Sequence, residues 1–142
     1  MLATFWVGTV WTMGLVVAPT LFATLADRVL AGTIAGSLFR AVAWISLACA
    51  IALAALLTIR SERPGTNTLL YLIAGMAGCT VLGYFCLQPY MASLREAMHV
   101  AASADAAQLA ALRTRFGILH AVSSGFYFVQ SVLGVALILK MR

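Results

Sequence analysis

Long uncharged stretches alternate with short charged segments along the whole chain. Four of these stretches approach the roughly 20 apolar residues that an α-helix needs to cross a bilayer. They cover approximately residues 2–25, 41–59, 68–88 and 116–139. The pattern therefore predicts four transmembrane helices joined by polar connections.

Two prolines fall where they should disturb a helix. Proline lacks a backbone N–H, and its ring collides with the carbonyl group four residues earlier. Pro19 lies inside the first stretch, so we expect a kink near Val16 or a helix end with a short re-entrant continuation. Pro89 directly follows the third stretch, and we expect the third helix to end there.

The segment between the third and fourth stretches, residues 91–115, has a different pattern. Its larger apolar residues recur every three or four positions, with charged and polar residues between them. This spacing is typical of an amphipathic helix, and we expect it to lie on the membrane face and lead into the fourth span. The apolar positions are Leu94, Met98, Ala101, Leu109, Leu112 and Phe116.

The composition agrees with a membrane protein. Of the 142 residues, 63% are hydrophobic and 9% are charged, whereas soluble domains carry about 25% charged residues. The prediction is a single all-α integral membrane domain over residues 1–142: a polytopic bundle of four transmembrane helices with an amphipathic surface helix between spans three and four.

The net charge of +5 does not indicate nucleic acid as a partner. The basic residues are scattered at the ends of apolar stretches, where they anchor helices at the membrane boundary. The lipid bilayer is therefore the expected partner. Four spans place both termini on the same side, with Arg60, Arg63, Lys140 and Arg142 close to the span ends. We expect both termini to be cytoplasmic and the protein to lie in a bacterial inner membrane.

The fourth stretch contains no Asp, Glu, Lys or Arg, but it carries six polar side chains. At 100° per residue these fall within about 120° of arc on a helix. They form a stripe that we expect to face the protein, while Val122, Phe126, Val129 and Leu133 face lipid. The polar residues are His120, Ser123, Ser124, Tyr127, Gln130 and Ser131.

This stripe has three interpretations: hydrogen bonding between helices, binding of a ligand or metal, and proton transfer through His120. Polar side chains join neighbouring membrane helices through hydrogen bonds of roughly 0.6 kcal/mol each. Alternatively, an ionisable group inside a span indicates a functional site, and the stripe binds a small ligand through His120, Ser123, Ser124, Tyr127 and Gln130. A metal would have His120 as a ligand, with a second ligand from His99, Met13 or Met76.

Aromatic and small residues predict how the helices meet lipid and one another. Trp6, Trp11 and Trp44 are expected at the membrane interface. Glycines in the third span let a neighbouring helix approach closely; these are Gly75, Gly78 and Gly83. The cysteines are expected to be small hydrophobic residues of the spans; these are Cys49, Cys79 and Cys86.

Two stretches together resemble a known family. Residues 5–39 contain Trp6-x-Gly8 and the Ala18-Pro19 turn, and residues 113–130 contain Phe116-x-x-Leu-His120. They resemble a family of small four-span membrane proteins known mainly as a domain of unknown function, which includes transmembrane protein 205. More distantly, the chain is similar to copper-resistance membrane proteins and a haem-containing protoporphyrinogen oxidase. This resemblance implies haem b or copper as a cofactor.

Motifs of hydrolases, phosphate-binding loops and zinc proteases are absent from the sequence, which favours a protein that is not an enzyme. The hypothesis is a membrane protein that binds a small ligand or a metal cofactor on the inner face of span four, with a link to metal tolerance. Two alternatives stay open: a small-solute transporter, and a structural or assembly subunit within a homo-oligomer or a larger membrane complex.

Overall fold

A computed structural model describes residues 1–59, 65–102 and 106–141. These residues form four long helices, and no strand lies among them. All four helices are long and apolar enough to span a membrane, so the predicted all-α four-helix membrane fold is confirmed. The helices are α1 (Leu2–Thr24), α2 (Arg28–Ile59), α3 (Thr66–Ala101) and α4 (Ala106–Lys140).

The helices form a four-membered ring. α1 contacts α2 and α4, and α3 likewise contacts α2 and α4. Gly75 faces Leu133 and Gly83 faces Phe126, so α3 and α4 run antiparallel, as in an up-and-down bundle. Local chemistry explains two of the connections. The Asp27 carboxylate accepts a hydrogen bond of 3.2 Å from the Leu30 N–H and so caps the start of α2. Gly65, with a φ of 96°, supplies the left-handed residue before α3.

At both prolines the helix continues, and a wider π-helical segment precedes each proline. A π-helical segment, Thr12–Val17, lies just before Pro19, and a second one, Val81–Cys86, lies just before Pro89. A π-helical turn moves the carbonyl that the proline ring would otherwise strike. Of the two alternatives expected near Val16, the helix end is wrong, because helical geometry continues to Thr24; the kink stays a prediction. The prediction that Pro89 ends the third helix is wrong, because α3 continues to Ala101.

The amphipathic stretch is divided between two helices. Residues 91–101 belong to α3 and residues 106–115 to α4, while 103–105 lie outside the described residues. The Arg95 guanidinium carbon is 5.7 Å from the centre of the Phe116 ring, so the two parts pack side by side. Their apolar faces pack toward each other as the end of a helical hairpin. At 36 residues, α3 is about 54 Å long and exceeds the roughly 30 Å hydrocarbon layer.

A packed core fills the half of the bundle that contains the chain termini. Its largest fully buried side chains include Trp6, Met76 and Leu137. The prediction that Trp6 anchors the protein at the membrane interface is therefore wrong: it is 0% exposed, whereas Trp11 and Trp44 are exposed. Gly134 lets α1 and α4 meet here, because a Cβ at this position would lie 2.8 Å from Val7 Cγ2.

Glycines of α3 permit close helix contacts, as predicted, at two of the three positions. A Cβ on Gly75 would lie 3.1 Å from Leu133 Cδ1, and one on Gly83 would lie 3.4 Å from Phe126 Cβ. Nothing described lies within 4 Å of a Cβ on Gly78. Phe126 and Leu133 therefore pack against α3, so the prediction that they face lipid is wrong.

Candidate functional site

The half of the bundle away from the termini is hollow. A cavity of about 750 Å³ runs between all four helices there. Its inner end is formed by Val10, Ser46, Thr80 and Gln130, next to the packed core. Small residues leave this space unfilled, because several positions on α1, α2 and α3 carry only a hydrogen or a methyl group. These residues include Gly14, Ala18, Gly32, Ala35, Gly36, Ala43 and Gly83.

All five predicted ligand-binding residues of α4 line this cavity. Gln130 is buried, Ser123 and Tyr127 are half-buried, and His120 and Ser124 are exposed. Because exposed residues also line it, the cavity reaches the surface of the bundle at His120 and Ser124. The structure thus brings the predicted residues together, while their role in binding stays a prediction.

The inward face of α4 is rotated relative to the predicted one. Its buried residues are Gln130, Gly134 and Leu137. On a scale with His120 at 0°, they centre near 290°, whereas the polar stripe centres near 340°. This difference of about 50° explains why Phe126 faces the cavity instead of lipid and why His120 and Ser124 lie at its edge.

Tyr127 joins α4 to the π-helical part of α1. Its hydroxyl donates a hydrogen bond to the Val10 carbonyl oxygen, close to the start of the irregular segment. In a membrane, carbonyls near broken helix geometry need such partners. Gly14 makes room for the ring, because a Cβ there would lie 2.9 Å from Tyr127 Cζ. The ring also packs edge-on against Phe39, with 5.8 Å between centroids.

The inner end of the cavity is polar although it adjoins the apolar core. Gln130 Nε2 donates a hydrogen bond of 3.0 Å to Thr80 Oγ1, which in turn donates to the Met76 carbonyl oxygen at 3.1 Å. Ser46 is 1% exposed and also lines the cavity here.

From Thr80 toward the outer end, the α3 side of the cavity carries further polar groups. Tyr84, Gln88 and Arg95 line it, and all three are half-buried. Arg40 Nε, on α2, donates a hydrogen bond of 3.2 Å to the Tyr84 hydroxyl oxygen. The lining includes no Asp or Glu within the described part of the chain. Arg95 is therefore the lining residue with a permanent charge.

Sequence reasoning missed this second stripe. The residues of α3 that line the outer cavity follow steps of four and three, which place them on one helix face. The assumption that Pro89 ends the helix divided this face and assigned its second half to the membrane surface. A continuous helix through Pro89 would have revealed it. The stripe consists of Tyr84, Gln88, Met91, Arg95 and Met98.

The four predicted metal ligands do not share one place. His120 lines the cavity, with its ring stacked on Phe116 at 6.2 Å between centroids. Met76 is buried in the core, and Met13 is buried beside a separate shallow groove between α1 and α2. His99 is exposed on α3. Within residues 1–59, 65–102 and 106–141, no group of three or more His, Cys, Asp and Glu side chains is arranged to hold a metal ion.

A known protein family matches the greater part of the chain. Residues 1–100 match a domain of unknown function, DUF4149. The chain belongs to the DUF4149 family. No curated protein and no solved structure matches it. The matched range covers α1, α2 and nearly all of α3, including Tyr84, Gln88 and Arg95. The cavity residues of α4 follow it in the chain.

Proposed function

We propose that this DUF4149 protein binds a small amphiphilic molecule in the cavity between its four helices. The observation that carries the proposal is the convergence of polar side chains from α2, α3 and α4 on one otherwise apolar cavity of about 750 Å³. Small-molecule sites typically have volumes of about 300–1,000 Å³ and combine apolar walls with a few polar groups. The cavity has both properties.

The hydrogen-bonding state of the inner end supports a ligand rather than helix contact alone. A polar side chain that only joins helices has its partner on the facing helix, as Gln130 and Thr80 have. Ser46 instead lines the cavity and is 1% exposed. A hydroxyl or carbonyl group on a ligand could form hydrogen bonds with these polar side chains at the inner end.

Photolabelling tests the proposal. The full chain in phosphatidylcholine nanodiscs is irradiated with a photoactivatable long-chain alcohol, and the modified side chains are mapped by mass spectrometry. We expect saturable labelling of the cavity residues Met91 and Phe126, which excess unlabelled alcohol removes. Labelling of the lipid-exposed Phe128 should not saturate. Absence of saturable labelling at Met91 and Phe126 contradicts the proposal.

A pair of adjacent substitutions provides the control. Ser123→Phe places a large side chain in the cavity, whereas Val122→Phe places the same side chain on an exposed position of α4. Both variants should fold, with circular dichroism spectra unchanged from that of the wild type. Only Ser123→Phe should abolish the saturable labelling; equal labelling in both variants would locate the bound alcohol elsewhere.

A metal-containing ligand is a second candidate, because nitrogen and sulfur side chains line the same cavity. They are His120, Cys79, Met91 and Met98, and soft sulfur ligands suit copper and haem iron. The resemblance to transmembrane protein 205 and to copper-resistance proteins belongs to this hypothesis. Elemental analysis and an optical spectrum of the purified protein test it. Stoichiometric copper or haem that is lost in His120→Ala supports the candidate, and a metal-free preparation opposes it.

The proposal also includes the location of the protein. We place it in a bacterial inner membrane with both termini in the cytoplasm. The cavity, in the half of the bundle away from the termini, then opens toward the opposite side. A C-terminal fusion to green fluorescent protein should be fluorescent and a C-terminal alkaline phosphatase fusion inactive; the reverse result would invert the orientation.

A further inference from the structure

The α3 stripe, defined above as Tyr84, Gln88, Met91, Arg95 and Met98, gives the cavity an outer end with its own chemistry. The charged member, Arg95, is half-buried and lines the cavity. Its guanidinium carbon lies 5.7 Å from the centre of the Phe116 ring. This cation–π contact holds Arg95 between α3 and α4 without using its hydrogen-bond donors.

Arg95 has no carboxylate partner among the described residues. A charge that is partly removed from water is usually paired with an opposite charge. The described lining of the cavity contains no Asp or Glu that could serve. The guanidinium fork binds carboxylate and phosphate groups through two parallel hydrogen bonds. The cavity therefore has a place for an anion at its outer end.

Two further polar side chains of α3 line the cavity between Arg95 and the inner end. The Tyr84 hydroxyl oxygen accepts a hydrogen bond of 3.2 Å from Arg40 Nε, so its own O–H is left to donate into the cavity. The Gln88 amide also lines the cavity and has no hydrogen-bond partner within the described chain. Along α3, Gln88 is about 10 Å and Tyr84 about 16 Å from Arg95, so both add neutral donors along the path from the cation to the inner end.

The inner end differs from the outer one. Ser46, Thr80 and Gln130 are uncharged, and the walls between the ends include the apolar side chains of Met91 and Phe126. Along α3, Thr80 and Arg95 are about 22 Å apart. An elongated molecule with one charged end matches this distribution better than a compact ion does.

We infer that the ligand is an anionic amphiphile, with a carboxylate or phosphate head group bound by Arg95 and an apolar chain that extends toward Gln130. This inference rests on the proposed function and specifies its ligand class. The head group has two sources with the same chemistry: a free fatty acid or an anionic phospholipid.

The test compares two photoactivatable probes of equal chain length, a fatty acid and the corresponding alcohol, on the full chain in phosphatidylcholine nanodiscs. We expect the acid to label Phe126 at about tenfold lower concentration than the alcohol does, because a hydrogen bond to a charged group adds about that factor. Arg95→Gln should remove the preference, and Arg95→Lys should keep part of it. The control is Arg113→Gln, which changes an exposed arginine of the same hairpin.

Each outcome decides between the inference and the proposed function. Equal, saturable labelling by acid and alcohol overturns the anionic head group and leaves the proposed function standing. No saturable labelling by either probe overturns both. Loss of the preference in Arg113→Gln as well as Arg95→Gln assigns it to general surface charge and overturns the role of Arg95.

Competition identifies the source of the head group. Excess unlabelled fatty acid and excess phosphatidylglycerol are each added before irradiation of the wild type, and the better competitor is the better ligand. Inorganic phosphate is the third competitor. If phosphate alone prevents labelling by the acid, the outer end is a site for a free ion, and the amphiphile assignment is wrong.

Discussion

Gly14 offers the most direct check of the packing that shapes the cavity. A Cβ at this position would lie 2.9 Å from Tyr127 Cζ. The Tyr127 ring has little room to retreat, because its hydroxyl is bonded to the Val10 carbonyl and its edge packs on Phe39. The substitution Gly14→Ala therefore forces α1 and α4 apart or breaks the hydrogen bond.

The expected loss has two sources. Overpacking by one methyl group costs about 1–3 kcal/mol, and a membrane hydrogen bond is worth about 0.6 kcal/mol on average. Alanine also favours a helix over glycine by about 0.8–1.0 kcal/mol, which works in the opposite direction. Gly8→Ala measures this opposing term, because it lies on the same helix and nothing described lies within 4 Å of its Cβ.

The free energy of unfolding is measured by titration with sodium dodecyl sulfate in mixed micelles, followed by circular dichroism. We expect Gly14→Ala to be less stable than Gly8→Ala by about 1–3 kcal/mol. The difference should disappear when Tyr127→Leu is present in both variants. Equal stability of the two alanine variants in the presence of Tyr127 would refute the described contact.

Three further predictions concern the core, the inner polar pair and the cavity wall. Gly134→Ala should destabilise the bundle by about 1–3 kcal/mol, because its Cβ would lie 2.8 Å from a methyl group of α1; unchanged unfolding would contradict this. A double-mutant cycle of Gln130→Leu and Thr80→Val should give a coupling energy of about 0.6 kcal/mol, with an upper limit of about 1.7 kcal/mol. Zero coupling would contradict a stabilising hydrogen bond between the two side chains. In chains with one cysteine, N-ethylmaleimide should modify Cys79, which lines the cavity, faster than the buried Cys49; the reverse order would contradict the cavity's position.

The four helices were predictable because each follows from long apolar stretches. The error in α3 arose from treating proline as a terminator in a membrane. There, neighbouring helices and local π-helical turns satisfy the freed backbone groups, so α3 passes through Pro89. Its far half then belongs to the bundle, and the Tyr84–Arg95 side of the cavity could not be recognised from the third stretch alone.

The α4 stripe was predictable as a set but not in its orientation. Polar residues indicate the side of a helix that faces protein, yet packing against α3 also uses Phe126 and Leu133. Large apolar residues do not distinguish lipid from protein, because both surroundings are apolar. Trp6 illustrates the same limit: its type suggested the membrane interface, and its position placed it in the core.

Native mass spectrometry of the full chain with the fatty acid tests the central claim most directly. We predict that the wild type and Val122→Phe each retain one acid molecule per chain, and that Ser123→Phe retains none. Retention of the acid by Ser123→Phe at the level of the wild type would contradict the claim that the cavity between the helices is the binding site.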